Sequence, residues 1–363
     1  MPSRRARGSP VDPTLCRRCQ TALPTITVRT EPLCAACFAK YVTTKAVKRM
    51  ESFRVRHADP GATERLLLLP LSFGTCSTAL LYILDHHLKG QAERTGRKGF
   101  RLHVLHVEEP RSDGRCGARS SDRRFNEFRE RFPEHTYSTI HLSDVFANEE
   151  MSQLLTHAVS GASLEQLDHE GRLSAVLASV TSATFRADLV RILVRRLIVS
   201  FAERHTCEAI LWGDTTTRLA ERTLAETAKG RGFALPWMVT DDAAQHAVPS
   251  YYPLQDVLSK EVTAFGCLVE PSLENLVIQD LPRPTTNTKN TTVDHLMKQY
   301  FESVEQDYPS IVANVVKTTG KLRPLALDEF ARKCELCDIP LDGAAPEQSR
   351  LCYGCIRTLS VEG

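Results

Sequence analysis

The chain has no apolar run approaching the ~20 residues that a membrane-spanning helix needs, so no bilayer crossing is expected of its 363 residues. Nor is a secretory leader expected. Met1 to Pro13 carries arginines and no apolar core. A soluble, intracellular and cytoplasmic chain is therefore expected, one that keeps its thiols reduced, so its twelve cysteines do not suggest a disulfide framework. The twelve histidines form no ligand-like cluster, and in the adjacent pair His86-His87 the two rings diverge if the segment is helical. Neither sign of charge dominates. Lys and Arg number 46 against 44 acidic residues, and a net charge of +2 argues neither for nor against a nucleic-acid partner. Hydrophobic residues at 42% and charged residues at 25% are ordinary globular values, and the length suffices for one large domain or two modest ones.

What is present is a repeated cysteine spacing. Cys16, Cys19, Cys34 and Cys37 form one C-x2-C-x14-C-x2-C quartet, and Cys334, Cys337, Cys352 and Cys355 form another. Two sulfurs three residues apart can face one tetrahedral ion, and a second pair across a short loop completes its shell. Two structural zinc ions are expected. Four thiolates leave no open position for water, so such sites hold loops together and do not catalyse. A transient redox role for one pair is the alternative. Cys76, Cys116, Cys207 and Cys267 lie outside the quartets and suit small packing residues better than nucleophiles. Cys76 stands at a helix amino end, which would depress its pKa.

Charge is unevenly placed. Residues 1–57 hold twelve Lys and Arg against Asp12, Glu31 and Glu51, a local charge of +9. Arg17, Arg18, Lys45, Lys48 and Arg49 are candidates for RNA phosphate contacts, the last three at helical spacing; a solvated cationic helix face is the competing explanation.

From residue 65 onward strands and helices alternate. The continuous apolar run at 65–71 suits a strand covered on both faces, and further strands are expected at 101–107, 137–142, 208–212 and 248–252. Helical spacing follows at 77–89, from Ser120 or Ser121 to Pro133, at 183–205, from the turn after Trp212 to Thr227, and from Asp256 to about Phe265. The expected fold is α/β, a parallel sheet with helices on both faces. Segments 90–99 and 110–120 suit exposed loops, and 282–292 suits a linker before helices at 293–308 and 311–317. The expected organisation is a basic zinc module over 1–57, an α/β domain over 58–281, a linker over 282–292, and helices with a zinc module over 293–363. Trp212 and Trp237 are expected to be packing residues.

The turn after the first long strand is the expected phosphate site, because it opens a helix with free N–H groups. It contains Ser72, Phe73, Gly74, Cys76 and Ser77 and resembles the S-G-G-x-D-S signature of the ATP pyrophosphatase (PP) loop. Phe73 replaces a glycine whose positive φ a bulky residue resists, and Cys76 replaces the aspartate. Gly213-Asp-Thr-Thr-Thr-Arg-Leu-Ala-Glu221 looks like the G-H-x-x-D-D-x-A-E stretch of thiolating members of that superfamily, without its paired acids. Together with Ala228-Lys-Gly-Arg-Gly232, Leu341-Asp-Gly343 and Leu351-Cys-Tyr-Gly-Cys355, these motifs make the chain similar, along nearly its whole length, to the cytoplasmic tRNA 2-thiolation protein 2 family.

That resemblance implies a nucleotide-alpha-hydrolase-like (PP-loop) domain flanked by zinc-binding modules, in a catalytically inactive partner of a paralogous tRNA thiolase. The pair would replace the 2-oxygen of a wobble uridine with sulfur delivered by a ubiquitin-like carrier, which this chain would meet indirectly. Active thiolases carry a C-x2-C where this chain has Ser182-Ala-Thr-Phe-Arg186, and serine or alanine cannot bear sulfur or ligate a cluster. No catalytic residue, no ATP and no membrane are expected; tRNA is the expected nucleic acid. Two other functions fit parts of the sequence: an active ATP-dependent tRNA-modifying enzyme with an altered loop, or a zinc-ribbon interaction protein without an RNA role.

Overall fold

The strand Arg65–Pro70, here β3, is apolar on successive residues because both of its faces are covered. Leu67 and Leu69 pack on one side of the sheet and Leu68 on the other. A computed structural model describes residues 12–28, 30–53, 65–110, 118–157, 159, 164–241, 248–278, 291–323, 332–341, 345–346 and 349–359. An amino-terminal hairpin, β1 (Ile26–Val28) and β2 (Glu31–Leu33), leads into α1 (Ala35–Arg49). After β3 come α2 (Thr75–Thr95), β4 (Phe100–Glu108), α3 (Ala118–Arg131) and β5 (Thr136–His141). Three helices follow, α4 (Glu149–His157), α5 (His169–Ser179) and α6 (Ala183–Arg204). Then come β6 (Ala209–Leu211), α7 (Thr216–Ala228), α8 (Leu235–Met238), β7 (Ser250–Tyr251) and α9 (Ser259–Leu268). The chain ends in α10 (Val293–Asp307), α11 (Pro309–Thr319) and α12 (Tyr353–Leu359).

The five-stranded sheet is parallel, in the order β5-β4-β3-β6-β7. Leu67 sits opposite Leu102 on one side and Ala209 on the other. The chain runs outward from β3 to β5, then returns to lay β6 on the free side of β3. The carboxyl ends of β3 and β6 therefore form the switch point where sheets of this kind bind ligands. Helices α1, α2, α3 and α9 cover one face; α4 to α8 and α12 contribute to the other. The α10–α11 pair packs over α7 through Phe301 and Val312 on Ala220 and Leu258.

The expected strands are all present, though β7 is shorter than the run 248–252. Only residues 96–99 of the expected loop 90–99 connect elements; residues 90–95 are helical. Helix α2 continues to Thr95 because Gln91 to Arg94 are good helix formers that outweigh the ~1 kcal/mol cost of Gly90. It stops at Gly96, whose φ of +67° places its N–H 2.7 Å from the Ala92 carbonyl. Helices α4 and α5 have no counterpart among the expected elements; they bury only Met151 and Leu155, and Leu173 and Val176. Most of the expected linker (282–290), the boundary near residue 57, and 111–117 of the expected loop 110–120 lie outside the described residues. Cys116 lies there too.

Candidate metal centres and the loop at the switch point

Each cysteine quartet is built by the same local device. In the first, the Gln20 N–H bonds the Cys16 carbonyl at 3.0 Å, and Gln20 takes a left-handed φ of +56°. In the second, the Asp338 N–H bonds the Cys334 carbonyl at 2.8 Å, with Asp338 at φ +60°. This tight turn folds each first C-x2-C pair into a knuckle. Cys34 then stands at the amino end of α1 and Cys352 immediately before α12, so each second pair lies on the opening turn of a helix.

The four sulfurs of each quartet lie within 4.8 Å of one another. Four thiolates bound to one ion through ~2.3 Å bonds sit about 3.8 Å apart along a tetrahedron edge. Cys19 and Cys34 sulfurs are 3.8 Å apart, as are those of Cys337 and Cys352. A cubane cluster places its cysteines on four separate irons and needs them wider apart. Both quartets thus fit a single four-coordinate cation. Without one, the crowded thiols cannot all ionise. The Thr21 hydroxyl and nearby backbone N–H groups draw Cys19 down to about 6, while burial and neighbouring sulfurs push Cys37 up to about 12.

At the switch point, the loop after β3 meets the segment after β6 closely. A Cβ on Gly213 would stand 3.0 Å from the backbone N and Cα of Ser77, so only glycine allows this approach. The loop's polar groups are turned on one another. Ser72 and Ser77 hydroxyls are 3.2 Å apart, Ser77 Oγ donates to the Gly74 carbonyl at 3.2 Å, and the Ser72 N–H lies 3.3 Å from Ser77 Oγ.

Phe73 overturns one expectation: it does adopt the left-handed conformation, at φ +58°. Its side chain is buried against His106, Phe125 and Phe128, with ring centroids at 4.3, 5.9 and 5.4 Å. That packing outweighs a strain of about 1–2 kcal/mol. Cys76 overturns another. Burial raises its thiol to about 11 despite the helix terminus and the nearby Arg218 guanidinium, so it is not a thiolate.

The replaced motif positions carry structural contacts. Ser182 Oγ caps α6 by accepting the Phe185 N–H, and Thr184 Oγ1 accepts the Val293 N–H at 3.3 Å. Thr217 donates to Glu305 of α10 and accepts the Ser259 N–H at 2.9 Å. Arg218 pairs with Glu221 at 3.4 Å, and burial raises the Glu221 carboxyl to about 7. The surroundings of the loop are thereby knitted to α9 and α10.

A feature missed in the sequence lies in Ala228 to Gly232. Lys229 and Arg231 are almost fully buried and meet Asp188 and Glu226, which are wholly buried. Arg231 Nη2 is 2.6 Å from both Asp188 carboxylate oxygens, and its Nε is 2.6 Å from Glu226. Lys229 Nζ reaches Asp188 and Asp294 at 2.9 Å, and Arg191 joins the same carboxylates. Three cations thus balance three anions, and Arg231, Arg191 and Lys229 hold the Asp188 carboxyl at about 2 against the effect of burial. The network docks the second cysteine quartet: Thr358 of α12 donates to Asp188 at 2.9 Å, and a Cβ on Gly354 would stand 2.5 Å from Arg231 Cγ.

The candidate RNA contacts divide. Lys45 Nζ bonds the Asp256 carbonyl at 2.6 Å, and Arg49 pairs with Asp256 at 2.7 Å and Asp241 at 3.3 Å, so both fasten α1 to the central domain. Arg18 pairs with Glu31 at 3.3 Å across the hairpin. Arg17 and Lys48 are exposed. Trp237 is buried as expected, whereas Trp212 is only partly covered.

A sequence profile of the family described as cytoplasmic tRNA 2-thiolation protein 2 matches residues 292–350. Among curated proteins, the cytoplasmic tRNA 2-thiolation protein 2 of Phaeosphaeria nodorum is 43% identical over 372 aligned positions, covering 96% of this chain and 95% of the relative. The protein of the same name from Sclerotinia sclerotiorum is 42% identical, covering 86% and 84%. Among solved structures, the U34-tRNA thiolase NcsA from Methanococcus maripaludis, determined with its 4Fe-4S cluster, superposes with a TM-score of 0.58 over 89% of this chain and 95% of that one. At 15% identity this likeness concerns the fold.

Proposed function

Because this chain belongs to the cytoplasmic tRNA 2-thiolation protein 2 family, we propose that it is the non-catalytic, tRNA-binding subunit of a cytoplasmic complex that 2-thiolates the wobble uridine U34. Its partner is a catalytic thiolase of the same fold, with which it forms a heterodimer, and the ubiquitin-like sulfur carrier meets this chain only indirectly. Residues 1–57 act as the basic metal module, 58–281 as the degenerate PP-loop domain, and 293–363 as the closing helices and second metal module, joined through 282–292. Zinc is the proposed ion in both quartets, since an all-thiolate tetrahedral set suits it and offers no open position for chemistry.

One observation carries the reading. The loop that would cradle a triphosphate is filled from within: Phe73 is packed into the core, Ser72 and Ser77 face each other, and the Cys76 thiol is raised to about 11. The neighbouring positions that thiolases use for cysteine and paired acids instead bond α9, α10 and the start of α6. The test is turnover by the purified, metal-loaded chain alone, set beside the same chain co-purified with its thiolase partner. ATP consumption and tRNA thiolation are expected only in the complex. Robust turnover by the single chain, abolished by Ser77→Ala, overturns the proposal.

A further inference from the structure

Beside the carboxyl end of β6, an open cleft with a cavity volume of about 110 Å³ lies between α6, α7, α8 and the second cysteine knuckle. Five arginines line it, Arg191, Arg195, Arg196, Arg222 and Arg231, against a single acid, Glu226. Its walls are otherwise apolar apart from the ligand position Cys337, with Ile192, Val199, Trp212, Met238 and Ile339 facing it. Four of the arginines are matched by carboxylates. Arg191 and Arg231 belong to the buried network, Arg222 pairs with Asp214 at 2.9 Å, and Arg196 pairs with Asp338 at 3.0 Å. Arg195 is different. Among the described residues no carboxylate lies within ion-pair distance of it, and its guanidinium lies 4.8 Å above the Trp212 ring. The indole is fixed in turn by its N–H bond to Ser250 Oγ at 3.0 Å. Arg231 adds a second unmet donor, since its buried Nη1 finds no hydrogen-bond partner among the described residues.

A part-buried guanidinium centred over an aromatic ring, in an arginine-lined cleft where it alone has no carboxylate partner among the described residues, is suited to a ligand that is both anionic and planar. We propose that this cleft seats one nucleotide of a single-stranded segment of the tRNA. The backbone phosphate pairs with Arg195. The base continues the Trp212–Arg195 stack, as unpaired bases do on aromatic and guanidinium planes. An acidic peptide would satisfy the charge and leave the plane unused. This inference rests on the reading of the chain as a tRNA-binding subunit and assigns that binding to the α6 side of the sheet, away from the basic amino-terminal module.

The test uses the full, metal-loaded chain and an unmodified tRNA transcript, with affinity measured by anisotropy across a potassium chloride series. Arg195→Gln removes a cation that has no buried carboxylate to strand, so unchanged metal content and urea midpoint confirm that it folds. It is expected to weaken binding by about 5- to 20-fold near 0.1 M salt and to lower the salt slope by about 0.7–0.9, the share of one phosphate. Trp212→Leu keeps the charge and is expected to weaken binding several-fold with the slope unchanged. Arg204→Gln, exposed at the end of the same helix, should stay within twofold of the parent. An Arg195→Gln affinity within twofold of the parent overturns the inference. So does a loss caused by Arg195→Gln that Trp212→Leu does not share, which points to an acidic peptide or free phosphate. If the parent chain binds no tRNA at 50 mM salt, alone or with its partner, the functional reading itself fails; if it binds and Arg195→Gln binds equally well, only this assignment does.

Discussion

Arg231→Met is the substitution whose outcome the structure fixes most tightly. The guanidinium is essentially inaccessible to solvent and supplies contacts of 2.6 Å to Asp188 and Glu226. Methionine fills similar space but leaves two buried carboxylates with only Lys229 and Arg191 to balance them, together with the more exposed Asp294. Breaking a buried ion pair from one side costs about 3–5 kcal/mol, because the stranded charge stays desolvated. The effect should extend to the second metal module, since Arg231 packs on Gly354, next to the ligand position Cys355, and Asp188 holds Thr358. Urea unfolding of the metal-loaded chain should show a lowered midpoint, and chelator competition should release one of the two ions faster while the other exchanges as in the parent. Arg231→Lys, which keeps the charge but not the fork, should fall between parent and Met. A loss below about 1 kcal/mol, or equal lability of both ions, would refute the view that this network anchors the carboxyl-terminal module.

Three further outcomes follow from the same geometry. Freshly purified chain should carry about two zinc ions and Cys337→Ser about one, by elemental analysis; chelation should unfold the terminal modules before the central sheet. Phe73→Gly relieves about 1–2 kcal/mol of backbone strain but removes packing worth about 3–5 kcal/mol. A net loss of about 2 kcal/mol is expected in urea unfolding, with no gain of ATP binding by calorimetry. Glu221 titrates near 7 in the folded chain against 4.5 unfolded, so its neutral form is favoured by folding. Its contribution is complete below pH 4.5 and is lost as pH rises through 7. Glu221→Gln should therefore be more stable than the parent at pH 8, by on the order of 1–3 kcal/mol, with the difference gone at pH 4.5.

What was legible in the sequence followed from how locally each feature is encoded. The quartets could be read because ligand geometry is written into C-x2-C spacing, and the same turn at Gln20 and Asp338 realises it twice. β3 and β6 could be read because strands covered on both faces carry apolar side chains at successive positions. Helices α4 and α5 bury too few side chains to leave a periodic signal. The ion network was invisible for a different reason. Asp188, Glu226, Lys229 and Arg231 look like solvent-facing charges until α6, α7 and the 228–232 segment bring them together. Phe73 shows the limit of single-residue rules, since its backbone penalty is outweighed by the rings of Phe125 and Phe128, far away in sequence. Lys45 and Arg49 sit at a spacing that suits a phosphate-binding face, yet Asp241 and Asp256 claim Arg49, and the Asp256 backbone carbonyl takes Lys45.

The decisive measurement is tRNA thiolation by the reconstituted two-subunit complex, with the loop serine altered in one subunit at a time. Ser77→Ala in this chain should leave the rate within about twofold of the parent, whereas the equivalent change in the thiolase partner should abolish product. A complex silenced by Ser77→Ala here, with the partner's loop intact, would contradict the account.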